Sequence, residues 1–121
     1  MKVKCIKTSI DKPLLGSINY DVHDYLEIGD SFFVYGIRFL ESDIYVYIYN
    51  GNHLFEAPIK LFEVTNNLTP NWKIKIWETG EITLWPELFY TSDFLENFGE
   101  RETRERRLFV DLQALIEKQG A

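Results

Sequence analysis

The segment Asp43-Ile-Tyr-Val-Tyr-Ile-Tyr49 constrains the fold more than any other stretch of this 121-residue chain. Its side chains alternate with a period of two. Ile44, Val46 and Ile48 take one face and Tyr45, Tyr47 and Tyr49 the other, which is the pattern of a β-strand and not of a helix. Asn50-Gly51 follows at once and suits the positive φ values of a tight hairpin turn. The return strand is read at His53 to Glu56, interrupted before Pro58. A two-faced strand with a hairpin return implies an antiparallel sheet with apolar material against at least one side.

Further strands are expected on both sides of this one. Residues 2–8 alternate lysine with Val3 and Cys5, a pattern that protects a sheet edge by charge. Ile28-Gly29-Asp30 is a turn that feeds a dense apolar stretch at residues 31–40, where Gly36 suggests a bulge or a close backbone approach. Residues 59–64 supply another strand. Trp72, Ile74 and Ile76 share a face in 72–77, and Glu78-Thr-Gly-Glu81 turns the chain into Ile82-Thr-Leu-Trp85, a second hairpin stopped by Pro86.

Helical chemistry begins only after Tyr90. Thr91 or Ser92 can cap a short helix through Asn97, with Gly99 just past its end. From Glu100 a longer helix is expected, with Leu108, Leu112 and Leu115 on one stripe beside Phe109 and Ile116. Its first turns interleave Arg101, Arg104, Arg106 and Arg107 with Glu100, Glu102 and Glu105, the composition of a solvated, salt-bridged helix start. Strands followed by helices indicate an α+β fold: an antiparallel sheet or SH3-like small barrel, an added β-hairpin, and C-terminal helices packed on it. One domain is expected over 1–121, with a barrel-like part at 1–65, a hairpin extension at 66–90 and a helical part at 91–121.

From Ile28-Gly-Asp-Ser-Phe-Phe-Val-Tyr-Gly-Ile37 through Leu61-Phe-Glu-Val64 the chain resembles SH3-like small barrels. The shared features are a turn feeding a long strand, a central hairpin and a short strand carrying an aromatic residue. The resemblance spans about residues 14–64 and transfers no ligand residues. In composition the chain is also similar to small acidic bacterial toxin-immunity proteins.

The net charge of −6 is unevenly placed. Between residues 11 and 43, Asp11, Asp21, Asp24, Glu27, Asp30, Glu41 and Asp43 face only Lys12 and Arg38. That field repels a phosphate backbone and attracts cations, so nucleic acid is disfavoured as a partner and a basic protein favoured. Cys5 is the single cysteine, which fits a reducing compartment. No apolar run is long enough to span a bilayer and the N-terminus lacks the apolar stretch of a secretory signal. A cytoplasmic protein without a membrane partner is the expectation.

Catalytic motifs are missing: there is no phosphate loop, no dinucleotide glycine pattern and no nucleophile elbow. An enzyme is not expected, nor a cofactor. Asp21, His23 and Asp24 hold the chemistry for a zinc or manganese ion, but an extended segment would turn Asp24 away from the other two, so a small metal-dependent hydrolase stays an alternative. Trp72, Trp77 and Trp85 would serve an RNA-binding barrel as stacking platforms. A structural subunit that packs against identical chains is a third alternative. The leading expectation is a non-catalytic protein-binding domain, an immunity or inhibitor protein that neutralises a basic toxin. Its partner-binding residues are read as Asp21, Asp24, Glu27, Asp30, Tyr45, Tyr47 and Tyr49, with charge steering encounter and tyrosine supplying contact area.

Overall fold

The computed structural model describes residues 1–10, 20–21, 25–41, 43–66, 72–91, 93–100 and 102–120. In chain order the described elements are β1 (Lys2–Cys5), β2 (Ser9–Ile10), β3 (Tyr20–Asp21), β4 (Ser31–Phe33), β5 (Gly36–Leu40), β6 (Asp43–Tyr49), β7 (Leu54–Pro58), β8 (Phe62–Asn66), β9 (Lys73–Ile76), β10 (Ile82–Trp85), α1 (Phe94–Gly99) and α2 (Thr103–Gly120). Short 3-10 turns precede β8 and α1, at Ile59–Leu61 and Glu87–Tyr90.

Three antiparallel sheets result, ordered β4-β1-β8, β7-β6-β5-β10-β9 and the small pair β2-β3. The α+β class and its C-terminal helices are as the sequence implies. The barrel is not: the two larger sheets do not close on each other. The reason lies in residues 31–40, read as one strand. Val34 and Tyr35 interrupt it, so β4 pairs with β1 while β5 pairs with β6 and β10. The added hairpin extends the main sheet, because β10 joins β5 directly and β9 follows at the end. At Gly36 the expected close approach is present. A Cβ there would lie 2.7 Å from Cδ1 of Trp85.

The two faces of the five-stranded sheet bury different chemistry. One face sends Ile37, Val46, Ile48 and Ala57 against Val3, Cys5 and Phe62 of the three-stranded sheet and Leu61 of the turn before β8, forming a mainly aliphatic core. The other packs Tyr35, Tyr47, Tyr49 and Trp85 against Phe89, Phe94, Phe98, Phe109 and Ile116 from the C-terminal region. The α2 register differs by a step from the expected stripe: Phe109 and Ile116 are buried, whereas Leu115 is exposed.

Of the two residues expected to cap α1, Ser92 lies outside the described residues. Asp93, with φ 62°, stands at the N-terminal boundary of α1 without a side-chain cap, and the Thr91 hydroxyl instead donates to the Leu88 carbonyl at 2.6 Å. Arg106 is not part of a solvated charge ladder. Its guanidinium donates to the carbonyls of Asn52 and Phe98 and lies 3.9 Å over the Phe98 ring, fastening α2 to the hairpin loop and to α1.

Candidate interaction surface

The tyrosine row of β6 is an internal seam, which corrects its reading as an open face for a partner. Tyr47 stands edge-on to Trp85 and Phe89, and Tyr49 edge-on to Phe98 and Phe109, with ring centroids 5.0–6.1 Å apart. Tyr45 is buried further along, with the Arg38 guanidinium 5.1 Å from its ring. Edge-to-face packing of this kind adds to the area these rings bury. Burial first, then the nearby Glu56 carboxylate, pushes the Tyr47 hydroxyl pKa upward. Burial likewise raises Tyr35 to about 12, with the Glu117 charge adding to it.

Arg38 completes this side of the sheet. Nε donates to Glu56 at 2.6 Å and Nη1 to Glu81 at 3.3 Å. Burial alone would lower the Arg38 pKa, but the hydrogen bond and charge of Glu56, followed by Glu81, more than offset this and raise it. A cation of the acidic 11–43 stretch is therefore engaged by partners outside that stretch.

The acidic turn at residues 27–30 has the opposite character. Gly29 takes φ 98°, and Asp30 N–H donates to the Glu27 carbonyl at 3.1 Å, a turn that needs glycine at its third position. Gly29 N–H donates to Cys5 O, and Cys5 N–H donates to Asp30 O, both at 2.8 Å, so the turn is pinned to the end of β1. The Glu27 carbonyl, the Gly29 N–H and both main-chain groups of Asp30 are thereby bonded, and the side chains are exposed. Glu27 and Asp30 are exposed, Ile28 is 67% exposed and Tyr25 47% exposed. Tyr25 is held in place by the Asn50 side chain, which donates to its carbonyl at 3.1 Å, and by the rings of His53 and Phe55 at 5.3 and 5.5 Å. Sequence reasoning missed Tyr25 and Ile28 as contacts. The available signal was Ile28 beside Gly29 inside a turn, where an apolar side chain has no strand face to bury it.

Of the other expected acids, Asp21 lies in β3 and Asp24 falls outside the described residues, as does His23. Among the described residues no group of three His, Cys, Asp or Glu could hold a metal ion. Cys5 is fully buried, and burial raises its thiol pKa, which disfavours the thiolate. Trp85 is buried in the aromatic core, and Trp77 is half-buried with Nε1 donating to Thr83 Oγ1 at 3.1 Å. Thr83 Oγ1 also lies 2.7 Å from the Tyr90 hydroxyl, so the tryptophans brace the sheet against the Glu87–Tyr90 turn. Among the described residues no helix is long and apolar enough to cross a membrane.

A cavity of about 220 Å³ is lined by Thr91, Phe94, Arg104, Glu105 and Leu108. Glu105 is buried there and accepts from Asn97 Nδ2 at 3.3 Å, which ties α2 to α1. Comparison with family models, with curated proteins and with solved structures finds no match to this chain. The reading of function therefore rests on the geometry of this chain alone.

Proposed function

We propose that this chain is a non-catalytic protein-binding domain, of the immunity or inhibitor class, that engages a basic partner through its acidic turn. The observation that carries the proposal is the pinned turn itself, where exposed Glu27 and Asp30 flank exposed Ile28, beside Tyr25. A rigid loop with apolar anchors ringed by charge suits an interface centre with a polar rim. Asp21 and Asp24 precede it in sequence and add to the negative charge of this stretch of the chain. The tyrosines of β6 pack inside the fold and are left out of the contact set.

The function follows from two separable effects. Negative potential around the turn raises the encounter rate with a cationic protein, and the apolar anchors slow its departure. Occlusion of a toxin's basic substrate groove needs nothing more. Affinity capture from the native source at low and at physiological salt tests this, read by mass spectrometry. The expected product is a single stoichiometric basic protein, held less well as salt rises. Recovery of an acidic protein, or of this chain alone, would sink the proposal.

A further inference from the structure

A second exposed surface lies on β9, the terminal strand of the five-stranded sheet. All four of its residues are exposed, with Ile74 at 65% and Ile76 at 71%. These isoleucines are not isolated. Ile76 pairs with Ile82 and on to Phe39 and Ile44, and Ile74 pairs with Leu84, so β9 is the open end of an apolar row that runs across the sheet.

The register states which main-chain groups face outward. Trp77 N–H donates to Glu81 O at 2.9 Å, so residue 77 points its main-chain groups toward β10. In an antiparallel ladder these groups alternate along the strand, so Lys75 and Lys73 also point inward. The N–H and C=O groups of Ile74 and Ile76 point to the free edge, and no described residue pairs with them. On the opposite face from the isoleucines stand Lys73 and Lys75, with Lys75 Nζ 3.8 Å over the Trp77 ring.

We infer that β9 accepts an added antiparallel strand from a partner protein, a segment reading apolar–acidic–apolar–acidic. A guest strand bonding to Ile74 and Ile76 sets two residues directly opposite them. The side chains of those two fall on the apolar face, where they extend the Ile74 and Ile76 row. The intervening and following guest residues fall opposite Lys75 and Lys73, where acids are favoured. A second copy of this chain is a poor occupant. Pairing β9 with itself sets Lys75 against Lys75 when Ile74 meets Ile76, and Lys73 against Lys75 when Ile74 meets Ile74, and like charges directly opposite destabilise a sheet. The register that joins Ile76 to Ile76 keeps a single isoleucine pair and sets Ile74 opposite Glu78. This surface differs from the acidic turn in its partner's charge and in offering main chain as well as side chains.

The test uses the full chain and two fluorescein-labelled peptides, one alternating valine with glutamate and one alternating valine with lysine, followed by anisotropy. The glutamate peptide should bind and the lysine peptide should bind at least about tenfold more weakly. The Lys73→Glu/Lys75→Glu chain, altered only at exposed side chains, should reverse that order. Ile76→Pro removes one outward N–H and should weaken the glutamate peptide about tenfold, with circular dichroism confirming that the fold persists. Equal binding of the two peptides, absence of binding, or a preference that survives the double charge reversal would overturn the inference. So would sedimentation showing a dimer that Ile76→Pro dissociates, because the second copy would then be the occupant.

Discussion

Two stretches of this chain, the tyrosine row of β6 and the turn at residues 25–30, set aromatic or apolar side chains near charge, yet one is covered and the other is not. Tyr47 and Tyr49 lie beneath Phe89, Phe98 and Phe109, while Tyr25 and Ile28 face outward. The difference comes from what each does with its backbone. The row belongs to an interior strand of a sheet whose second face is left for another layer, and the aromatic residues of the C-terminal region supply that layer. The turn closes its own hydrogen bonds against Cys5 and has no face to offer a layer. Removing a side chain from the row should therefore cost stability, and removing one from the turn should cost association.

The largest effect is expected at the seam. Phe109 is buried between Tyr35, Tyr49 and Phe98, and Phe109→Ala should destabilise the fold by about 3–5 kcal/mol in a urea titration. A loss below about 1 kcal/mol would mean that α2 does not pack on the tyrosine face, and the row would again be open for a partner.

Alkaline pH probes the same seam. Tyr35 titrates near 10 unfolded and near 12 folded. Between those values the unfolded chain binds fewer protons, so stability is complete below about pH 10 and falls as pH rises toward 12, by about 2 kcal/mol from this group. Tyr47, raised as well, deepens the fall. In Tyr35→Phe the slope of stability against pH over that window should be shallower than in the parent chain. An unchanged slope would place Tyr35 outside the core.

A third change, Gly36→Ala, sharpens the comparison from the sheet's side. Its Cβ would press on the Trp85 ring, and a cost of about 1–3 kcal/mol is expected from thermal unfolding. A neutral result would show slack between β5 and β10.

The smallest stability effect belongs to the turn. Glu27→Lys combined with Asp30→Lys should leave unfolding free energy within about 0.5 kcal/mol of the parent, as exposed side chains do. A larger loss would give the turn a structural role that the exposure of its side chains does not imply.

Local signals in the sequence located most elements and few of their relationships. The alternation of residues 43–49 fixes β6 because period two is a property of one strand, and the Glu78-Thr79-Gly80 turn marks its hairpin because Gly80 needs φ near 90°. The division of residues 31–40 between two sheets was not legible, since Val34 and Tyr35 are ordinary strand residues. They are set apart only by what they pair with: Val34 N–H donates to Met1 O, and Tyr35 N–H to Tyr47 O. Arg106 looked like surface charge because its neighbours are acids, whereas its partners are carbonyls at Asn52 and Phe98. The covering of the tyrosine row was likewise hidden, because Phe98 and Phe109 lie about fifty residues or more beyond it in the chain. Acidic residues in the turn were legible from composition. The apolar side chains between them became informative once nothing was found to cover them.

The most direct measurement is the association rate of the captured basic protein with the parent chain and with Glu27→Lys/Asp30→Lys, across a range of ionic strength. If the acidic turn is the partner surface, the variant should associate about tenfold or more slowly at low salt, and the two rates should converge as salt screens the field. Identical rates with identical salt dependence would contradict it and would move the interface away from the turn.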